Sequence, residues 1–180
     1  PLSLVIYTLA GGTLLAISAN VMNQVLEVET DKLMERTSDR PIVTGELTKT
    51  NGIIYSISSG LIGFLILYSL VTPLSSFIGL AANIFYVFIY TLILKPRTNQ
   101  NIVIGGASGA APVLIGWTAT GSELETGPWV LFLLVFMWTP AHFWALSIEN
   151  KADYKNAEFP MLPIQELSLI HISEPTRQDS

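Results

Sequence analysis

Five long apolar runs restrict what this chain can fold into. They occupy residues 2–25, 53–71, 76–94, 102–119 and 129–148. Each is close to the ~20 residues that a helix needs to cross a bilayer. A hydrocarbon medium offers no water to the backbone, so such runs span it as helices. Charge agrees with this reading. Only 13% of the 180 residues are charged and 50% are hydrophobic, against roughly a quarter charged in a soluble domain. The expected fold class is all-α: a polytopic transmembrane helical bundle of five helices. Cysteine is absent, which removes a disulfide framework and a thiolate nucleophile. A formal charge of −5 and the lack of a basic tract argue against a nucleic-acid partner.

The fourth run carries Gly105, Gly106, Gly109, Pro112 and Gly116. Small residues of this kind suit close helix packing or a broken helix beside a cavity. Both readings are open from the sequence.

The connections give a topology. The first loop carries Lys32, Arg36, Arg40 and Lys49, and the third carries Lys95 and Arg97. Lys151 and Lys155 follow the fifth run, whereas the second and fourth loops hold no base. Five passes therefore put all of these bases on one face, which the positive-inside rule makes cytoplasmic or its organellar equivalent.

On that same face Asn23, Glu27 and Asp31 stand four residues apart. On a helix this spacing gives one row of oxygen-bearing side chains, drifting about 40° per step. Closely spaced carboxylates repel and favour a cation between them. Magnesium takes oxygen ligands, commonly one or two carboxylates with substrate phosphates. Arg36 and Arg40 follow at once, and guanidinium grips phosphate oxygens in a fork. The row reads as a magnesium–diphosphate site at a membrane surface, or as a solvated helix end with a loop of mixed charge. Beyond the fifth run, Glu149 and Asp153 repeat the four-residue spacing. They form a second acidic patch facing the first, or an ordinary polar connector.

Asn23, Glu27, Asp31, Met34, Arg36, Thr37, Arg40, Pro41 and Gly45 together resemble the first signature of the UbiA superfamily of intramembrane prenyltransferases. Tyr90-Thr91, Leu94-Lys95, the Gly105-Gly106 to Pro112 stretch, Gly116-Trp117, His142-Phe143-Trp144-Ala145-Leu146, Asp153-Tyr154 and Pro160-Met161-Leu162-Pro163 resemble its haem-farnesylating branch. Glu27 stands where many members have Asp. The resemblance implies that the farnesyl group of farnesyl diphosphate is transferred to a vinyl group of haem B, giving haem O for haem–copper oxidases. Mg2+ would be held by Glu27, Asp31 and Asp153, with Asn23 beside them as the fourth catalytic residue. Arg36, Arg40, Lys95, Tyr154 and His142 would bind substrates. Lipid bilayer, farnesyl diphosphate and haem B are the implied partners, with association to haem A synthase or oxidase assembly factors. The implied location is the inner (plasma) membrane of a bacterium, or the mitochondrial inner membrane in a eukaryote.

Two other functions compete. One is a prenyltransferase acting on a quinone-precursor aromatic such as 4-hydroxybenzoate. The other is an ion-coupled transporter, whose intramembrane acids bind the coupling ion. A purely structural membrane subunit is a further alternative.

The resemblance implies that residues 1–166 form one domain, a piece of a fold of about nine transmembrane helices. Residues 167–180 are polar and without period. They include a stretch resembling translated adaptor sequence, so they are expected to be a non-native tail, and His171 receives no role.

Overall fold

The chain is described by a computed structural model covering residues 1–157 and Pro160, leaving aside the side chains of Lys151, Tyr154 and Lys155. The expected tail lies outside these residues. Five helices are long and apolar enough to cross a membrane. We label them α1 (Leu2–Leu26), α2 (Lys49–Leu70), α3 (Pro73–Arg97), α4 (Asn101–Ala119) and α5 (Thr126–Glu149). A short helix α6, Lys151–Asn156, follows. Every expected span is present, most of them a few residues longer than the apolar run itself.

Helix ends follow local chemistry. The Thr48 hydroxyl accepts the N–H of Asn51 and caps α2, while Thr72 accepts the N–H of Ser75 and precedes Pro73 at the start of α3. Such caps satisfy donors that have no partner within the helix. Pro112 and Pro140 lie inside α4 and α5, and both helices run on through them. The fourth span is therefore an unbroken helix.

The pair α1–α2 makes the most extensive contact. Small residues let the two backbones approach: a Cβ on Gly63 would meet the Gly11 carbonyl oxygen at 2.8 Å, and one on Gly60 would meet the Ser18 hydroxyl at 2.7 Å. Ser56 adds a bond from its hydroxyl to the Ser18 carbonyl at 2.8 Å. In lipid, where apolar burial between helices gains little, close packing and such bonds hold helices together. Leu15, Leu67 and Ile115 form an apolar cluster joining α1, α2 and α4. α5 lies on α4, and its other side exposes Leu134, Met137 and Trp138.

The first loop is folded. Val25, Val28 and Ile42 make a second buried cluster, with Met22, Val43 and Leu47 against it. One-turn helices at Val28–Asp31, Glu35–Thr37 and Pro41–Thr44 lead the chain across the bundle end. Gly45 then takes φ 84°, a left-handed conformation that glycine adopts without strain.

One element departs from the simple spanning helix. Phe85–Leu94 within α3 is π-helical. A π-turn holds an extra residue, and one extra residue rotates everything beyond it by about 100° relative to a continuous α-helix. Thr91 and Lys95 lie in and just after this stretch.

Candidate active site

The hydrogen-bonded backbone carries Asn23, Glu27 and Asp31 round a bend. α1 ends at Leu26, and Glu27 has φ −100° and ψ 12°. The Glu27 N–H still donates to the Asn23 carbonyl at 2.9 Å, and the Asp31 N–H to that of Glu27 at 2.8 Å. The row thus survives the bend. It is not a solvated face: Asn23, Glu27 and Asp31 are 4%, 7% and 3% exposed.

Each carboxylate meets one cation. Lys95 Nζ donates to Glu27 Oε2 at 2.6 Å. Arg40 Nη1 donates to Asp31 Oδ2 at 2.6 Å. The Asn23 amide donates to Glu27 Oε2 at 2.8 Å and to Thr91 Oγ1 at 3.2 Å. Thr37 fixes the loop from below by donating to the Asp31 carbonyl at 3.0 Å. Both ion pairs close on a single carboxylate oxygen, so the second oxygen of each lies outside these bridges.

An apolar cavity of about 220 Å³ opens between α1, α3 and α4, lined among others by Gly12, Ala16, Ala19, Asn20, Tyr86 and Gly109. Gly12 stands eleven positions before Asn23, about 16 Å along a helix. Of the glycines in α4, Gly105 packs against Tyr90, where a Cβ would come within 2.4 Å of the ring. Gly109 has open space beside it and faces the cavity. Gly105 thus serves close packing, while Gly109 borders the cavity on a helix that is not broken.

Asp153 meets the first loop. Its Oδ1 accepts the N–H of Glu35 and its Oδ2 that of Arg36, each at 3.0 Å. It lines a polar pocket of about 270 Å³ with Glu35, Arg36, Glu149, Asn150 and Ala152. Asn23, Glu27 and Asp31 do not line that pocket; Asp153 bonds instead to the loop four and five residues beyond Asp31. The start of the Glu35–Thr37 turn presents two backbone donors, and this carboxylate takes both. Among the described residues, no group of three or more His, Asp or Glu side chains is placed to hold a metal ion.

Other expected residues are also located. Arg36 is exposed, with its backbone held by Asp153. His142 is exposed on α5, its ring stacked on Trp138 at 4.5 Å between centroids and edge-on to Phe143 at 5.7 Å. Its ring thus joins the aromatic surface of α5. Tyr154 lies in α6, and its side chain is outside the described residues. Thr91 and Tyr86 gained no role from sequence patterning. Thr91 enters the sequence reading as part of the Tyr90-Thr91 resemblance, without a role.

Two buried acids, each neutralised by a base, sit at one end of a membrane bundle beside an apolar cavity. This is a buried cluster of paired charges beside an apolar cavity. The chain belongs to the UbiA prenyltransferase family, which it matches over residues 1–166. It is 47% identical over 161 residues to a protoheme IX farnesyltransferase of Paenarthrobacter aurescens, covering 89% of this chain and 50% of the relative. It is 44% identical over 164 residues to that of Colwellia psychrerythraea, covering 91% and 54%. The figure for that of Synechocystis is 45% over 157 residues, covering 87% and 50%. The chain thus spans about half the length of the curated relatives it matches. No solved structure matches it.

Proposed function

We propose that this chain forms the diphosphate-binding half of an enzyme that transfers farnesyl from farnesyl diphosphate to a vinyl group of haem B. The carrying observation is the buried Asn23–Glu27–Asp31 row with Lys95 and Arg40 closing on it. The farnesyltransferase relatives supply the substrates.

The donor set fits magnesium. Two buried carboxylates and an amide are too few to enclose a cation, but they suit one that shares its ligands with a diphosphate. Asn23, Glu27 and Asp31 would hold it, and when bound it would supply positive charge to the leaving diphosphate. Lys95 and Arg40 each add a positive charge beside one of these carboxylates, in a site with little water, where charge acts strongly. The farnesyl chain lies along α1 from Asn23 towards Gly12, in the apolar cavity.

Transfer breaks the bond between the first farnesyl carbon and the diphosphate oxygen, and the diphosphate keeps the electron pair. The vinyl π electrons of haem B form the new carbon–carbon bond. Water adds to the resulting cation and loses a proton, leaving a hydroxyethylfarnesyl group. Asp153 holds the first loop by the amides of Glu35 and Arg36. The proposed setting is an inner (plasma) or mitochondrial inner membrane, with haem A synthase or oxidase assembly factors as neighbours that receive the product.

The test is expression of the full-length protein in membranes lacking haem O. Haem O should form from haem B and farnesyl diphosphate only with magnesium present. A prenylated 4-hydroxybenzoate in place of haem O would sink the acceptor assignment and keep the diphosphate site.

A further inference from the structure

We propose that Thr91 is a positioning residue: it turns the Asn23 amide so that Oδ1, rather than the amino group, is offered to the cation and diphosphate. This rests on the diphosphate reading above.

The argument is one of donors and acceptors. A side-chain amide has two N–H donors and one carbonyl oxygen. One donor of Asn23 goes to Glu27 Oε2 at 2.8 Å and the other to Thr91 Oγ1 at 3.2 Å. The carboxylate can only accept. The Thr91 hydroxyl proton is spent on the Tyr86 carbonyl at 3.0 Å, so Oγ1 is an acceptor as well. A flipped Asn23 would set its oxygen against two acceptors, and the network excludes it. Oδ1 is the atom these bonds do not use.

A threonine that bonds its own helix is commonplace. Here the bond runs five residues back, along the π-helical stretch. The hydroxyl belongs to a buried residue and faces a different helix, 68 positions away in the chain. Lys95, one turn later, ends on the same Glu27 oxygen that Asn23 uses. The π-stretch of α3 therefore delivers both supports of the Asn23–Glu27 pair. Residues that orient a ligand in this way typically change metal affinity by about 10–100-fold when removed.

The experiment uses the full-length protein in detergent and reads binding of manganese(II), with inorganic diphosphate, by electron paramagnetic resonance. Thr91→Val keeps the shape and removes the hydroxyl. It should raise the manganese concentration for half-saturation about tenfold, whereas Thr91→Ser should restore it. In an Asn23→Ala background, Thr91→Val should change nothing beyond about twofold, because the partner through which it acts is gone. Thr91→Ala gives the same comparison if the valine variant does not fold. Binding within twofold of wild type in the single variant would overturn the inference, as would an undiminished effect in the Asn23→Ala background. Either result leaves the diphosphate site standing. Wild-type protein that binds no manganese with diphosphate overturns that reading, and the inference with it.

Discussion

Both ends of this bundle are polar, but they satisfy their polar groups differently. At the end where α2 passes into α3, Thr72, Ser75 and Thr118 form a closed ring of hydroxyls. Thr72 and Ser75 lie 2.8 Å apart, Ser75 and Thr118 also 2.8 Å. Thr72 donates to the Thr118 carbonyl at 3.1 Å. Each hydroxyl is answered by the protein, and no charge is involved. At the other end, Glu27 and Asp31 are buried and charged, each bridged through one oxygen. Burying charge is costly and, of itself, weak evidence for stability. The closed ring is architecture, while the charged row keeps capacity for something else.

The largest expected break in this comparison is Asp31→Asn in the full-length protein. The swap keeps size and removes charge, so on the proposed reading the departing diphosphate would lose part of its counterion. Turnover of haem B to haem O should fall on the order of 10²–10³, as for loss of one preorganised stabilising group. Sequence reasoning alone expects folding to be indifferent, on the view that the carboxylate faces a wet cavity. The structure revises this: Asp31 is buried against Arg40, so about 1–3 kcal/mol of stability should go as well. Near wild-type turnover at saturating magnesium would remove Asp31 from the site.

Lys95→Met comes next. It leaves Glu27 buried with Asn23 as its remaining side-chain donor among those described. A hydrogen bond to a charged group contributes about 1.5–3 kcal/mol, so farnesyl diphosphate should bind roughly 10–100-fold more weakly. Equilibrium binding of a non-cleavable analogue measures it. Unchanged affinity would make the Glu27–Lys95 pair structural, like the hydroxyl ring.

The ring predicts the opposite pattern. Ser75→Ala removes a fully buried hydroxyl and leaves Thr72 and Thr118 short of a partner. Thermal unfolding in detergent should show a loss of about 1–3 kcal/mol, with activity per folded molecule unchanged. A fall in that activity comparable to the Lys95 variant would erase the distinction between the two ends.

Much of this was legible in the sequence, for a physical reason. Spans are read from hydropathy because the bilayer leaves the backbone one option. The row was legible because helical spacing survives the bend at Glu27. The contacts of Asp153 were not legible, because spacing reports which residues share a helix face and says nothing of what an acid meets across a loop. The backbone amides of Glu35 and Arg36 carry no sequence signature. The π-stretch was invisible too: Phe85–Leu94 reads as plain apolar helix, and its extra turn residues decide where Thr91 and Lys95 point.

The smallest expected effect lies inside the charged end itself. Glu29 stands between Glu27 and Asp31 in sequence yet points outward. It meets Lys32 at 2.8 Å and Lys49 at 3.7 Å, with its side chain 74% exposed. The Lys32 hydrogen bond and charge, with a smaller contribution from Lys49, hold its carboxyl below the usual range. A lowered value in the folded state means stability present above the ordinary carboxylate range and lost as pH falls through the lowered one. Exposed pairs of this kind contribute little and are screened by salt. Glu29→Gln should therefore leave haem O formation unchanged. Any drop in its unfolding temperature should be small at neutral pH, absent in acid below that titration, and suppressed by added salt. The measurement is paired: activity in membranes, and unfolding at two pH values and two ionic strengths. Loss of activity matching Asp31→Asn would mean that the charge of the whole loop, rather than two buried carboxylates, makes the site.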